Sequence, residues 1–430
     1  MDNLINIAKN AKTASYKLAS LSTEIKNKAL EQIANKLEEN SSLIFDANKK
    51  DLEFASTLLQ QGEISQSTFN RLKLDENKFR DMVQGIRDVQ KLEDPVNKQI
   101  SAIELDENLN LYKVSCPIGV IGVIFEARPD VIAQISSLAI KSANAVILKG
   151  GKEAVNTNKI ITALINEALE DVEEFPKNVI NQIFSREDVA NMLNMDEYID
   201  LIIPRGGNSL VKYIKANTKI PVLGHADGIC HIYIDKSADI TKAIPIVVDA
   251  KTQYPSACNT VETLLVEKSI DIIPIITALK ENNVKIIGCE KTKSIYTEIQ
   301  LATEEDWETE YSDLVISIKI VDNITEAIDH INKYGSGHTD CIITEDKQSA
   351  DLFMDLVDSA GVYQNASTRF ADGFRYGLGA EVGISTNKTH ARGPVGLEGL
   401  TIYKYKLYGN GQIVKDYALG NKKFTHKDLI

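Results

Sequence analysis

Short, unbroken runs of apolar residues alternate with amphipathic segments along most of this chain of 430 residues. The runs lie at residues 120–125, 145–148, 201–203, 232–234, 264–266, 284–287, 315–320 and 341–343. Unbroken apolar runs of this length are typical of parallel strands that are covered on both faces. The segments between the runs repeat their apolar positions at helical spacing. The pattern therefore predicts an α/β fold in which two domains each contain a parallel βαβ sheet.

The two ends of the chain follow other patterns. Residues 6–93 are rich in Lys, Glu, Ala and Leu, and their apolar positions fall on one helical face, which predicts a helical preamble. Residues 401–408 alternate at the period of a strand and end at the turn signal Gly409-Asn410-Gly411. A lone late strand of this kind is typical of one that joins the sheet of a neighbouring subunit. We place the domain boundaries at 225/226 and 395/396.

Composition and charge argue against several classes of protein. The formal net charge of -13 disfavours nonspecific binding of nucleic acid. No apolar run reaches the roughly 18 residues that a membrane span needs, and no signal-peptide core is visible. The five cysteines are scattered and odd in number, which argues against a disulfide framework and for a reducing compartment. Together these features lead us to expect a cytoplasmic protein. The six histidines show no metal-ligand spacing, so we expect that the protein needs no metal.

The segment Ser256-Ala257-Cys258-Asn259-Thr260 offers the clearest chemistry in the sequence. Its cysteine is flanked by small residues and comes just before an apolar run, so that a rigid sheet edge would present the sulfur to a substrate. We predict that Cys258 is a nucleophile. Attack requires the thiolate, and a helix terminus or the nearby Lys251 are the candidates for stabilising it.

Signals for anion binding are weaker. The sequence contains no well-formed P-loop or Rossmann glycine pattern. Lys149 ends a predicted strand, where ligands of parallel sheets bind, although by itself it is more often a plain surface lysine. The segment Arg205-Gly206-Gly207 follows another strand and opens a helix, so its N–H groups either face an anion or simply form a turn.

Three further features each have two interpretations. His225 lies at the predicted domain boundary, where it would exchange protons in a cleft or pack between the domains. Glu310 precedes a strand in an acidic region and by itself is most simply a solvated carboxylate. Residues 365–399 are dense in Gly and lack an apolar period, which predicts a long loop. Arg369 and Arg392 in this loop would bind a carboxylate or phosphate, which we favour, or would brace an irregular chain.

Nine blocks of sequence recur in the order of a known family, at residues 21–23, 26–30, 117–129, 204–207, 224–228, 257–259, 309–311, 391–397 and 424–429. On these blocks the chain resembles the aldehyde dehydrogenase superfamily, in particular its members that reduce acyl phosphates. The resemblance implies an aldehyde-dehydrogenase-like α/β fold with an NADP-binding domain at 1–225 and a catalytic domain at 226–395. It also implies a strand-rich oligomerisation element built from residues 100–115 and 396–430.

The same resemblance implies a reaction. NADPH would reduce L-glutamyl 5-phosphate to L-glutamate 5-semialdehyde with release of phosphate through a cysteine thioester, which is the second step of proline biosynthesis from glutamate. Cys258 matches the nucleophile, Lys149 the lysine that holds the adenosine ribose, and Glu310 the glutamate that contacts the nicotinamide ribose. We expect a homo-oligomer. Because the acyl phosphate is short-lived, we also expect transient contact with a separate glutamate kinase.

The remaining expected contacts depend on charge. Lys152 would take the 2′-phosphate of NADPH, although Glu153 beside it opposes this. The cofactor is further expected to contact Arg205, Gly206 and Gly207. Contacts to the substrate are expected from Arg128, Asn259, Arg369 and Arg392, and His225 is a candidate catalytic residue.

One departure from the family bears on the chemistry. Oxidising aldehyde dehydrogenases carry a glutamate general base where this chain has Gly224-His225-Ala226-Asp227-Gly228. Without a hydrolytic base, the thioester is left for attack by hydride rather than by water. Two alternatives stay open: an acylating aldehyde dehydrogenase that uses a coenzyme A thioester, and a binding protein that keeps the fold without catalysis.

Overall fold

The computed structural model describes residues 2–225 and 227–429. The chain forms two compact units, the first made of the residues up to Leu223 together with those from Val395 onward, the second of Gly224–Pro394. The cofactor-binding, catalytic and oligomerisation roles that the sequence assigns to parts of the chain stay predictions. Among the described residues there is no helix with both the length and the apolar character that crossing a membrane requires.

The predicted helical preamble opens the first unit. It forms five helices, α1 (Asp2–Leu18), α2 (Thr23–Glu39), α3 (Ser41–Gln60), α4 (Gln66–Leu72) and α5 (Glu76–Lys91). Helix α2 begins where the side chain of Ser22 accepts a hydrogen bond from the N–H of Ile25, and α5 begins at Asp75 in the same way. The apolar stripe of α2 is buried, as its periodicity predicts.

A four-stranded parallel sheet forms the core of the first unit. After the strands β1 (Gln99–Asp106) and β2 (Leu109–Pro117) come β3 (Val120–Phe125), α6 (Val131–Lys141), β4 (Ala145–Lys149), α7 (Val155–Glu170), β5 (Ile180–Ile183), α8 (Arg186–Met192), β6 (Leu201–Arg205) and α9 (Asn208–Ala216). The strand order is β5-β4-β3-β6. The strand β5 was not predicted, because its half-buried Asn181 and Gln182 interrupt the apolar run.

The second unit contains a seven-stranded parallel sheet of order β10-β9-β11-β8-β7-β12-β13. Its elements are β7 (Cys230–Ile234), α10 (Ile240–Thr252), β8 (Val261–Glu267), α11 (Ile273–Glu281), β9 (Lys285–Gly288), α12 (Glu290–Ile295), β10 (Gln300–Leu301), β11 (Val315–Val321), α13 (Ile324–Tyr334), β12 (Thr339–Ile343), α14 (Lys347–Leu356) and β13 (Gly361–Gln364). The five predicted strands are present, and the short edge strands β10 and β13 are additional. Within the expected loop, β14 (Gly383–Ser385) pairs with β15 (Gly393–Val395).

The end of the chain returns to the first unit. It forms β16 (Thr401–Tyr408), α15 (Val414–Ala418) and β17 (Lys427–Asp428). The strand predicted at 401–408 is therefore confirmed, and it pairs antiparallel with β2 in a sheet of order β16-β2-β1-β17. Strand β16 lies at the edge of this sheet, and Tyr405, Leu407 and Tyr408 on it are more than half exposed.

A buried aspartate joins the helical preamble to helix α7, which follows strand β4 of the first parallel sheet. Asp51 on α3 is 2% exposed, and its carboxylate accepts hydrogen bonds of 2.7–3.0 Å from the backbone N–H groups of Asn156 and Thr157 and from their side chains. These N–H groups belong to the first turn of α7, which has no partner for them within the helix. Asp51 thus caps the helix that follows the Lys149–Lys152 segment.

We expect Asp51→Asn to destabilise the first unit by about 2–3 kcal/mol, because one carboxylate oxygen becomes an NH₂ group that faces N–H donors. The midpoint of thermal unfolding should fall by at least about 4 °C. Asp46→Asn is the matched control, since Asp46 lies exposed on the same helix. Equal midpoints for the two variants would contradict the role of Asp51.

Candidate active site

Cys258 lies in a tight turn between α10 and β8. The N–H of Ala257 donates to the carbonyl of Tyr254 at 3.1 Å, and the N–H of Thr260 donates to the carbonyl of Ala257 at 2.9 Å. The Thr260 hydroxyl also donates to the Tyr254 carbonyl at 2.7 Å. Every residue of the following strand is buried. The half-buried cysteine is therefore held at a rigid edge of the sheet.

This turn packs against the segment that leads into β7. A Cβ atom on Gly228 would overlap the carbonyl oxygen and Cα of Cys258, so a side chain cannot be accommodated there. Cys230, at the start of β7, donates its thiol hydrogen to the carbonyl of Cys258 at 3.4 Å. Burial raises the pKa of Cys230 well above its usual value, so this second thiol stays protonated. Of the two neighbouring sulfurs, that of Cys258 is the candidate nucleophile.

Three neighbouring parallel strands bring together three side chains, one thiol and two imidazoles, of types that can ligate a metal or transfer a proton. The strands β8, β7 and β12 lie side by side, and Cys258, His225 and His338 each precede one of them. Parallel strands begin at the same edge of a sheet, so the residues before them converge. The Sγ of Cys258 and one ring nitrogen of each histidine all lie within 4.8 Å of one another. The two imidazole rings meet edge to face, with centroids 4.9 Å apart.

Hydrogen bonds and burial determine the protonation of the two histidines. Nδ1 of His225 lies 3.0 Å from the carbonyl oxygen of Ile384, and because a carbonyl only accepts, this nitrogen carries a proton. Nδ1 of His338 lies 2.8 Å from Oγ1 of Thr339. Burial lowers the pKa of His338 well below its usual value, and His225 and Arg369 lower it further. His338 is thus a neutral imidazole near neutral pH, and the same burial makes it a weaker base than a free histidine.

Arg369 supplies positive charge near this thiol. Its buried Nε donates to Oε1 of Gln253 at 2.9 Å, and Arg375 donates to its carbonyl at 2.8 Å. Burial lowers the pKa of Arg369 and Arg375 lowers it further, whereas attraction to Cys258 acts in the opposite direction. The attraction is mutual, so the guanidinium favours the thiolate of Cys258. Arg369 therefore both braces the loop and acts on the candidate nucleophile.

The sequence offered Lys251 and the adjacent helix as candidates for stabilising the thiolate, and the structure supports neither of them. Lys251 is fully buried, and its Nζ donates to Oε2 of Glu262 at 2.6 Å. Burial raises the pKa of Glu262 to about 7 and lowers that of Lys251, because desolvation opposes both charges. Lys251 is thus committed to an ion pair. Helix α10 presents its C-terminal end, whose partial charge is negative, towards the turn of Cys258, so it does not stabilise a thiolate either.

Sequence reasoning missed His338, although a signal was present. Small residues surround it in Gly335-Ser336-Gly337-His338-Thr339, directly before an apolar run, just as small residues surround Cys258. The positions 225, 258 and 338 are too far apart for a spacing rule to connect them. Only the order of the strands in the sheet brings the three residues together.

The other predicted substrate residues are engaged within the protein. Nδ2 of Asn259 donates to a backbone carbonyl at 2.8 Å, while its buried Oδ1 has no hydrogen-bond partner among the described residues. Arg392 donates to the carbonyl and Oδ1 of Asp358 at 3.1 and 3.0 Å. Arg128 belongs to the first unit, where it is exposed and lies 3.4 Å from a neighbouring carboxylate. The charges of both arginines are thus partly balanced by aspartates.

The predicted cofactor residues of the first unit lie at the carboxyl edge of its sheet. Lys149 ends β4 and Arg205 ends β6. Lys152 is exposed and forms an ion pair of 2.7 Å with Glu63. Glu153 is buried and accepts a hydrogen bond of 2.7 Å from a backbone N–H. Its carboxylate is therefore used inside the protein, which weakens the objection that Glu153 opposes a phosphate at Lys152.

At the start of α9, where the sequence offered free N–H groups for an anion, a carboxylate of the protein itself is bound. Oε2 of Glu126 accepts a hydrogen bond of 3.1 Å from the N–H of Gly207, and a Cβ on Gly206 would meet the same carboxylate. The protein's own carboxylate thus takes one of the N–H groups that the sequence assigned to an anion. An anion at this helix start would compete with Glu126.

Glu310 lies half-buried in the second unit, where its charge contributes to raising the pKa of Glu262.

The fold and the site agree with a known class of protein. The model of the aldehyde dehydrogenase family matches residues 2–286, and the chain belongs to this family. A relative from Brachyspira hyodysenteriae, named gamma-glutamyl phosphate reductase, is 63% identical over 429 residues, which are 99% of each chain. The relative of that name from Acetivibrio thermocellus is 55% identical over 99% of this chain and 98% of its own. The crystal structure of gamma-glutamyl phosphate reductase from Thermotoga maritima gives a TM-score of 0.92 at 42% identity, covering 95% of this chain and 99% of that one.

The buried pair Lys251–Glu262 predicts a marked asymmetry between single and double variants. Glu262→Gln leaves a buried ammonium without its partner and should destabilise the second unit by about 3–5 kcal/mol. Lys251→Met combined with Glu262→Leu removes both charges and should recover most of that loss. Urea unfolding checks this, with Lys347→Met as control because its ion pair with Asp351 is exposed. A single variant as stable as the wild type would contradict the prediction.

Proposed function

We propose that this chain is an NADPH-dependent oxidoreductase that converts L-glutamyl 5-phosphate to L-glutamate 5-semialdehyde and phosphate. This is the second step of proline biosynthesis from glutamate. Relatives that match nearly the whole chain carry the name of this reductase. The observation that carries the chemistry is the half-buried sulfur of Cys258 near the positive charge of Arg369, because a nucleophilic thiol must be held as its thiolate.

The first step transfers the acyl group to the protein. Arg369 stabilises the thiolate of Cys258, and the thiol proton is released to water. The sulfur attacks the acyl carbon, a carbon–sulfur bond forms, and the carbon–oxygen bond to the phosphate breaks with its electron pair leaving on the phosphate. Backbone N–H groups, including that of Cys258, hold the oxyanion during the attack. The product of this step is a thioester on Cys258.

The predicted cofactor residues fit a nicotinamide dinucleotide. Lys149 and Arg205 end the two strands that flank β3, at the carboxyl edge of a parallel sheet where such sheets bind ligands, and there is open space beside Gly207. In this proposal Lys149 and Glu310 hold the two riboses and Lys152 holds the 2′-phosphate. When bound, NADPH supplies the hydride that reduces the thioester to the aldehyde.

The residues around the thiol also disfavour hydrolysis of the thioester. The cluster formed by the described residues is Cys258 with two histidines and contains no carboxylate. Oxidising members of the family use a glutamate to activate water. In this chain the buried Glu262, on the strand that follows Cys258, is held in an ion pair by Lys251. The acyl group is therefore kept for reduction, and phosphate rather than water is the partner in the reverse reaction.

The reverse reaction tests this proposal directly. With glutamate semialdehyde and NADP⁺, we expect NADPH to form when phosphate is added, and Cys258→Ala to abolish the rate. Cys289→Ser is the matched control, since Cys289 is a half-buried thiol outside the cluster. Dependence on coenzyme A instead of phosphate would identify an acylating aldehyde dehydrogenase. The absence of turnover with either would favour a binding protein.

Preference for NADPH over NADH is proposed to depend on Lys152. Loss of a charged hydrogen bond to the 2′-phosphate should lower kcat/KM for NADPH by about tenfold or more in Lys152→Ala, with little change for NADH. Lys177→Ala controls for loss of an exposed positive charge in the same unit. Equal changes for both cofactors in Lys152→Ala would refute this role.

We further propose that the chain forms a homo-oligomer through the edge strand β16. Long edge strands with exposed apolar side chains are templates for pairing with another chain, and Tyr405, Leu407 and Tyr408 are such side chains. Leu407→Lys should therefore lower the mass in solution measured by light scattering, whereas Val414→Lys, outside the strand, should not. An unchanged mass in Leu407→Lys, or a monomeric wild type, would count against this interface.

The location and the supply of substrate are proposed on chemical grounds. All five cysteines are free thiols, which supports a reducing compartment such as the cytoplasm. The acyl phosphate is short-lived, which favours its direct transfer from a separate glutamate kinase. Co-sedimentation of the two proteins would reveal such a contact, and independent sedimentation during turnover would argue against it.

A further inference from the structure

We propose that Cys258, His225 and His338 form a zinc-binding site that reversibly masks the nucleophile. One sulfur and two imidazole nitrogens, all within 4.8 Å of one another, are the donor set that Zn²⁺ prefers. Three protein ligands leave the fourth tetrahedral position to water. Zinc–ligand bonds of about 2.0–2.3 Å place tetrahedral ligands about 3.5 Å apart, so side-chain movements of about 1 Å would close the site. The widely separated chain positions explain why spacing rules predict no metal here.

A second observation points to a ligand at His338. This residue is 1% exposed, and its Nε2 has no hydrogen-bond partner among the described residues. Burial of a polar atom without a partner is costly, and a metal ion would supply the missing partner. Nδ1 of His338 is already held by the Thr339 hydroxyl, which is the outer contact that orients metal-bound imidazoles.

His225 is oriented in a comparable way. Its Nδ1 donates to the carbonyl of Ile384, which leaves Nε2 as the nitrogen that would bind a metal. Hydrogen bonds of this kind to a backbone carbonyl fix the tautomer of zinc-binding histidines. Both imidazoles therefore have the outer-shell contact that a metal site requires, although no part of the proposed reaction needs a metal.

Zinc binding would silence the thiol chemistry. The metal replaces the thiol proton of Cys258, which is released, and the sulfur electron pair that attacks the substrate is then held in the zinc–sulfur bond. The consequence for activity rests on the proposed function, whereas binding itself does not. A zinc-bound chain should be inactive until a chelator removes the metal, and an acylated Cys258 should not bind zinc.

Cobalt is the probe for this site, because Co²⁺ takes the same ligands and is coloured. Titration of the full chain with Co²⁺ should produce a thiolate-to-cobalt charge-transfer band that saturates at one ion per chain and disappears when Zn²⁺ is added. The band should be absent in Cys258→Ser, and the affinity should fall by about tenfold or more in His338→Gln. Cys289→Ser and His426→Gln, which lie outside the cluster, should retain the full band.

The outcomes separate the metal site from the proposed reaction. A wild-type chain without the band, or a band that survives in Cys258→Ser, would overturn the site. Circular dichroism of each variant shows whether a lost band reflects lost folding, and His225→Gln provides an independent second ligand variant. If the band behaves as expected but the chain shows no phosphate-dependent turnover, the proposed function fails while the zinc site stands.

Discussion

The candidate site depends on one constraint, the side-by-side parallel pairing of β8, β7 and β12. Because these strands start at a common edge, the residues before them are brought within a few ångströms although they lie far apart in the sequence. Gly228 tightens the arrangement, since its missing side chain lets the turn of Cys258 rest on the chain that enters β7. The site thus lies at the amino edge of its sheet, whereas the predicted cofactor residues Lys149 and Arg205 lie at the carboxyl edge of the other sheet.

Burial then decides which groups are able to react. It keeps His338 neutral at a pH where a free histidine is partly charged, so this ring carries no positive charge beside the candidate nucleophile. It keeps the neighbouring Cys230 protonated and leaves one reactive sulfur of the two. Burial also holds Lys251 and Glu262 in an ion pair with each other. The cation is therefore not used to stabilise the thiolate, and the carboxylate is not used to activate water. Low polarity is therefore as important to this site as the residues themselves.

Much of the fold follows from the sequence because strands buried on both faces read as unbroken apolar runs. The runs predict the central strands, and the alternation at residues 401–408 predicts β16. The short edge strands β5, β10 and β13 were missed because edge strands carry polar residues or are too short to form a pattern. Cys258 was found from its local context. His338 and the ion pair of Lys251 were missed because strand order and burial are non-local properties that a single sequence does not display.

The central claim is that the Cys258 sulfur carries the glutamyl group as a thioester. Mass spectrometry of the chain treated with L-glutamyl 5-phosphate in the absence of NADPH measures this directly. The account predicts a glutamyl adduct on the peptide that contains Cys258, which disappears when NADPH is added. An unmodified Cys258 peptide, or an adduct on another cysteine, would contradict it.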